Sequence, residues 1–88
     1  MVWNVYILGC ADDSLYTGIT KDLERRLAEH ENGTGAKYTK GRGPFKVLYV
    51  EEQPSRGHAL KRELEIKALD RADKFELMDN GFVAQFQI

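Results

Sequence analysis

Val2-Trp3-Asn4-Val5-Tyr6-Ile7-Leu8-Gly9 and Ser14-Leu15-Tyr16-Thr17-Gly18-Ile19-Thr20, joined through Ala11-Asp12-Asp13-Ser14, form the stretch that decides the fold. Both runs alternate bulky with small residues and are rich in β-branched and aromatic side chains. The acidic tetrapeptide between them has turn composition, so the pair reads as a β-hairpin. With the turn centred near Asp12, Tyr6 falls opposite Gly18 and Leu8 opposite Tyr16. Tyr6 and Tyr16 then project from one face, diagonal to each other. Gly18 leaves room there for the Tyr6 ring or for the close approach of a ligand.

Working outward, Thr20 is a good N-cap and Asp22 sits in the first turn of a helix predicted over residues 21–31, closed by Asn32-Gly33. Residues 33–44 are glycine-rich and read as a loop with one helical turn near Lys37. Residues 45–51, Phe-Lys-Val-Leu-Tyr-Val-Glu, read as a third strand. Pro54-Ser55 opens a second helix over 56–69, and Asp70 caps a short third one running to about residue 78. The tail 81–88 has a weak strand pattern with no place in this order. The order β-β-α-β-α-α, without repeats or a linker, predicts an α+β fold: a small three-stranded antiparallel sheet flanked by helices. Eighty-eight residues make one domain, expected over 1–80 with 81–88 as a C-terminal tail.

Composition narrows the class. The single cysteine, Cys10, allows no internal disulfide and no thiolate cluster for zinc, which fits a reducing, cytoplasmic setting. The apolar run Val5-Tyr6-Ile7-Leu8 has no basic leader and is far short of the ~20 apolar residues of a membrane span, so neither export nor membrane insertion is expected. A net charge of −1 argues against a protein that coats nucleic acid nonspecifically. Its distribution says more. Residues 32–50 contain no acid, yet Lys37, Lys40, Arg42 and Lys46 fall there, while Glu51, Glu52, Glu65, Asp70, Asp73, Glu76 and Asp79 crowd the C-terminal half. A basic segment on an acidic body can focus an anionic ligand, although a solvated lysine-bearing loop has the same composition.

Polar groups also stand where the helical period expects apolar ones. The inward stripe of the first helix is Leu23, Arg26, Leu27 and His30, with Glu24, Arg25, Glu29 and Glu31 outward. On the second helix Glu63 sits between Ala59, Leu60, Leu64 and Ile66, with Lys61, Arg62 and Glu65 outward. An unpaired buried charge costs several kcal/mol, so these groups need a purpose. One purpose is structural: Arg26 and Glu63 pair at the rim of the core and His30 is a satisfied core histidine. The other is a site, which two phenols on the facing sheet surface favour.

The residues that carry this second reading also carry a resemblance. Asn4-Val5-Tyr6, then Tyr16-Thr17-Gly18, then Lys21-Asp22-Leu23-Glu24-Arg25-Arg26, resembles the GIY-YIG nuclease superfamily. Gly41-Arg42-Gly43-Pro44-Phe45 and Ala59-Leu60-Lys61-Arg62-Glu63 fit the same family, and the similarity spans about residues 2–69. It is closest to the small stand-alone bacterial branch, which is similar to the catalytic domain of structure-selective junction endonucleases. Asn4 stands where the family name has its first glycine, and Thr17 fills the middle of the second triplet. Ile19 stands where some relatives carry a lysine, so Lys21 or His30 would have to replace whatever that lysine does.

The resemblance implies a divalent-metal-dependent endonuclease acting on DNA, in repair, recombination or processing. Tyr6 and Tyr16 correspond to the motif tyrosines, Arg26 to the catalytic arginine, Glu63 to the metal-binding glutamate, and His30 to a position often polar in relatives. Glu63 would hold Mg²⁺ or Mn²⁺, since one carboxylate suffices for a cation that keeps its waters and shares the substrate phosphate. Arg26 would grip non-bridging phosphate oxygens through its planar fork. Tyr6 or Tyr16 would take the proton from water, which requires the phenol pKa of about 10 to be lowered by Arg26 and the metal; the resemblance favours Tyr6. Around the site, Gly18, Lys21, Lys37, Lys40, Arg42 and Lys46 would lie along the nucleic-acid backbone, and Tyr38 could stack on a base. No base-reading helix is evident, so selection by shape or strand state is expected. A catalytically silent binding module of the same fold, and a protein partner or homodimer to help hold a large substrate, are the remaining expectations.

Overall fold

The computed structural model, described for residues 2–80, contains β1 (Trp3–Gly9), β2 (Leu15–Thr20), α1 (Leu23–Glu31), a single 3-10 turn (Lys37–Thr39), β3 (Lys46–Gln53), α2 (Arg56–Ala68) and α3 (Arg71–Asn80). The sheet is antiparallel in the order β2-β1-β3, so the first strand is central. The expected order β-β-α-β-α-α and α+β class are those observed. The expectation for residues 81–88 lies outside the described residues.

Helices cover both faces of β1, and its sequence shows why: Val5, Tyr6, Ile7 and Leu8 are all fully buried, the continuous apolar run of a strand sandwiched on both sides. Val5 and Ile7 face α2 and α3, packing with Tyr49, Ala59 and Ile66, and with Trp3, Leu15, Ile19, Leu77 and Met78 around them. Tyr6 and Leu8 face α1, with Leu23 and Val50, and Tyr16, Leu27, Phe45 and Val47 around them. Full burial of each aliphatic side chain here stabilises the fold by ~1.5–3 kcal/mol. A bulge between Ile7 and Leu8 in the pairing with β3 leaves Leu48 as the extra residue.

The hairpin register is the one expected, Tyr6 against Gly18 and Leu8 against Tyr16. Its tight loop is held by Cys10 N–H to the Ser14 carbonyl (2.9 Å), and Asp13 takes a left-handed conformation (φ 67°). The first helix begins later than expected, at Leu23 rather than 21. Its N-cap is Asp22, whose Oδ1 accepts from Arg25 N (3.1 Å), not Thr20. Both residue types cap well; here the Thr20 hydroxyl is used one step earlier, bracing Asp22 N. The third strand likewise begins at Lys46 and runs to Gln53. Asp70 caps α3 as expected, accepting from Asp73 N at 2.8 Å.

On α2 two side chains reverse the expected orientation. Leu64 is 67% exposed, whereas Arg62 turns in and places Nε 2.9 and 3.1 Å from the two oxygens of Glu51 on β3. Tyr49 donates to the same carboxylate. A half-buried arginine with a matched carboxylate is an alternative to an apolar contact that helical periodicity does not distinguish. This pair fixes the rotation of α2 and thereby the direction in which Glu63 points.

Candidate active site

The end of α1 builds the first part of the site. Gly33 adopts a left-handed conformation (φ 82°). Gly33 N–H donates to the His30 carbonyl (3.2 Å) and Thr34 N–H to the Glu29 carbonyl (2.9 Å), the double bond pattern of a Schellman stop. The chain folds back so tightly that a Cβ on Gly35 would lie 2.6 Å from His30 Nδ1. The 3-10 turn then brings Thr39, 1% exposed, onto the same ring.

His30 thereby becomes the centre of a buried polar chain. Its Nε2 is 2.9 Å from the Tyr6 hydroxyl, and its Nδ1 is 2.7 Å from Thr39 Oγ1. Thr39 Oγ1 itself donates to the Ala36 carbonyl (2.9 Å), so its hydroxyl proton is already used. It must accept from His30 Nδ1–H, which leaves Nε2 bare to accept from Tyr6 O–H. Burial, with the Arg26 charge second, holds the His30 pKa below its ordinary value against the opposing pull of Glu29 and Glu31. The imidazole is therefore neutral and able to receive a proton.

Gly18 serves the Tyr6 ring: a Cβ there would sit 2.5 Å from the Tyr6 hydroxyl and 3.0 Å from Tyr16. Burial pushes the Tyr6 phenol up to about 12, against the pull of the Arg26 guanidinium and with Tyr16 and Glu63 adding to the rise. Without a metal, burial outweighs Arg26, because a fully buried phenolate is poorly solvated. Arg26 is itself lowered by burial, but hydrogen bonding to Tyr6 and Glu29 more than compensates and raises it above the ordinary arginine value. Its NH1 rests 3.0 Å from Glu29 Oε1. The expected structural pair with Glu63 is not formed; Glu63 is bonded instead to Lys67 one turn on, at 3.3 Å.

Glu63 is mostly buried, with 15% of its side chain exposed, and its charge reaches Tyr6. Among the described residues no group of three or more His, Cys, Asp or Glu clusters as a metal cage would. The donor chemistry at Glu63, one hard and mostly buried carboxylate, fits a Mg²⁺-like cation that keeps most of its waters.

Tyr16 lies edge-on to His30 (centroids 5.2 Å apart) and stacks on Tyr38 (5.9 Å, 24°). Tyr38 is in turn covered by the Arg42 guanidinium at 4.5 Å. Tyr38 is therefore already engaged by two side chains, and Arg42 is a staple: Nε donates to the Tyr38 carbonyl (2.7 Å) and NH1 pairs with Asp12. Lys21, Lys37, Lys40 and Lys46 are exposed. The structure brings Tyr6, Tyr16, Gly18, Arg26 and His30 together, with Glu63 close enough for its charge to act on Tyr6. Sequence reasoning missed Thr39, Gly35 and the Arg62–Glu51 brace; the glycine spacing after Asn32 was the one available signal for the first two.

A three-stranded antiparallel sheet presenting two tyrosines to an arginine and a histidine on one helix, with a glutamate on the next, defines a recognisable class. A family model described as the GIY-YIG catalytic domain matches residues 2–76, and the chain belongs to that family. Its relatives are small proteins of matching length. UPF0213 protein OB0043 of Oceanobacillus iheyensis is 55% identical over 75 residues, covering 85% of this chain and 87% of that one. The solution NMR structure of UPF0213 protein BH0048 from Bacillus halodurans is similar at 47% identity and TM-score 0.59, covering 90% of this chain and 84% of that one. That of EF2693 from E. faecalis gives 38% and 0.61, with coverage of 88% and 83%. Among the described residues no helix is long and apolar enough to cross a membrane.

Proposed function

We propose that the chain is a divalent-metal-dependent endonuclease that hydrolyses DNA phosphodiester bonds in the cytoplasm, in repair, recombination or processing, and selects substrates by structure or strand state. Residues 1–80 act as one nuclease domain. The observation that carries this reading is the directional chain Tyr6–His30–Thr39 beside Arg26 and Glu63.

Tyr6 is protonated at rest, so it works by relay. As water attacks phosphorus, the Tyr6 oxygen takes a proton from it while passing its own to His30 Nε2. Thr39 holds the resulting imidazolium through Nδ1–H, as an orienting partner does in other proton relays. Arg26 holds the non-bridging oxygens; such a preorganised donor contributes on the order of 3 kcal/mol in the transition state. Glu63 would hold a Mg²⁺ or Mn²⁺ ion, which would supply charge stabilisation for the leaving oxygen. Tyr16 supports the His30 ring edge-on and acts with Tyr6 on the Arg26 guanidinium. Lys37, Lys40 and Lys46 supply backbone phosphate contacts, while Arg42 contributes by holding the loop.

The test incubates the purified chain with labelled single-stranded, duplex, flapped and branched DNA, in Mg²⁺, Mn²⁺ or EDTA. Metal-dependent cutting that is abolished in Tyr6→Phe, Arg26→Ala and Glu63→Gln, each melting like wild type, is the expected result. Cutting that persists in all three, or none by the wild type on any substrate, would overturn the proposal.

A further inference from the structure

A second cavity adjoins the site. It encloses about 350 Å³, at the lower end of the range for small-molecule sites. Trp3, Lys21, Asp22, Arg25, Arg26 and Glu29 line it. Arg26 belongs both to this cavity and to the reactive centre, so the two are continuous. Trp3 is half-buried, with Lys21 Nζ over its ring at 5.4 Å and Arg56 Cζ over it at 6.0 Å from the centroid; both are exposed side chains that a stacking base would displace towards its phosphate. The two acids present are committed: Asp22 caps α1 through Arg25 N, and Glu29 is paired with Arg25 (3.6 Å) and Arg26 (3.0 Å). Among the lining charges Lys21, Arg25 and Arg26 still outnumber Asp22 and Glu29.

A half-open indole under two exposed, displaceable cations, next to an arginine assigned to the phosphate, has the chemistry of a nucleotide subsite. The aromatic face accepts any base by stacking, and the cations take the phosphate that follows it. A depression of about 350 Å³ has room for one stacked base rather than for a base pair with its two backbones. We propose that Trp3, with Lys21, Arg25 and Arg56, binds an unpaired nucleotide adjoining the scissile phosphate, with its base stacked on the indole. This rests on the nuclease reading, and it assigns the strand-state selectivity of that reading to a particular place.

Trp3 is the only tryptophan in the chain, so its emission reports the site directly. The wild-type protein is titrated in EDTA with a 12-nucleotide oligothymidylate and with a blunt 12-base-pair duplex. Trp3 fluorescence is read beside the anisotropy of a fluorescein-labelled oligonucleotide. The single strand is expected to quench Trp3 saturably, with the midpoint of the anisotropy curve, and the duplex to leave it unchanged. Trp3→Leu should weaken single-strand binding about tenfold. Arg56→Glu, an exposed change that keeps the tryptophan as a folding reporter, should also weaken it.

Anisotropy that reports binding while Trp3 emission stays constant, or an Arg56→Glu protein that binds as wild type, would overturn the subsite and leave the nuclease reading standing. If no oligonucleotide binds and none is cut in Mg²⁺, the nuclease reading fails and the subsite fails with it.

Discussion

Thr39→Val isolates the proton relay from everything else in the site. The substitution keeps size and β-branching but deletes the one acceptor of His30 Nδ1–H, which lies 2.7 Å away in a fully buried setting. Two consequences follow with different magnitudes. The orphaned buried donor costs ~1–3 kcal/mol, which for a chain of this size lowers the melting temperature by about 5–20 °C. If His30 escapes that cost by moving its proton to Nε2, Tyr6 can no longer donate to it, and the exit for the proton taken from water is closed. General-base assistance of this kind contributes roughly 10²–10⁴-fold, so the rate of cutting should fall by about that factor while substrate binding is unchanged. Thr39→Ser, which keeps the hydroxyl, should recover most of the rate. The assay is single-turnover cleavage of the preferred substrate beside an anisotropy measurement of binding, at a temperature well below both melts. A Thr39→Val protein that is destabilised but cuts at the wild-type rate would refute the relay and leave Thr39 as a packing residue.

Three further outcomes follow from the same contacts. Gly18→Ala forces a Cβ to within 2.5 Å of the Tyr6 hydroxyl; overpacking of this kind costs ~1–3 kcal/mol, and urea melts should show it together with loss of cutting. The pH dependence has a defined sign at both ends. The unfolded chain protonates His30 near 6.5 while the folded chain resists, so stability falls as pH drops through that value, and cutting fails at lower pH as the relay acceptor charges. At the alkaline end the unfolded Tyr6 ionises near 10 and the folded one near 12, so stability is full below pH 10 and is lost above it; chemical melts across pH 4–11 measure both. Arg62→Leu leaves the Glu51 carboxylate, 21% exposed, without the Nε–H that its two oxygens share. It should destabilise the fold by ~1–3 kcal/mol, and the metal concentration needed for half-maximal cutting should rise as Glu63 loses its fixed direction.

Much of the fold was legible because the hairpin carries its own ruler. A turn centred at Asp12 sets Tyr6 against Gly18, and a one-residue slip would have exchanged the two buried faces of β1, taking Tyr6 away from Tyr16 and α1. The stripe Leu23, Arg26, Leu27, His30 was equally legible, since 3.6-residue periodicity places polar and apolar members alike. What was not legible depends on contacts made where the chain reverses, His30 with Thr39 and Glu51 with Arg62. Thr39 reaches His30 only because Gly33 reverses the chain and Gly35 lets it lie flat against the ring. Arg62 turns in only because Glu51 waits on β3, and Leu64 turns out for the complementary reason. The raised pKa of metal-free Tyr6 was not legible either, because sequence shows the neighbouring arginine but not the loss of solvent that outweighs it.

The placement of Tyr6 on the central strand and of Thr39 on a loop has a kinetic consequence. Amide protons of β1 are expected to exchange only when the sheet comes apart, and those of the single 3-10 turn through local opening at lower free energy, which hydrogen exchange would measure. The two ends of the Tyr6–His30–Thr39 chain therefore belong to parts of the molecule with different lifetimes. The phenol is as permanent as the fold, and the group that orients its acceptor can leave and return many times without the protein unfolding. A contact on residues 33–44, whether from a long substrate or from a second protein, would thus change the fraction of time that the histidine is correctly aimed, and so adjust turnover without touching a reacting atom.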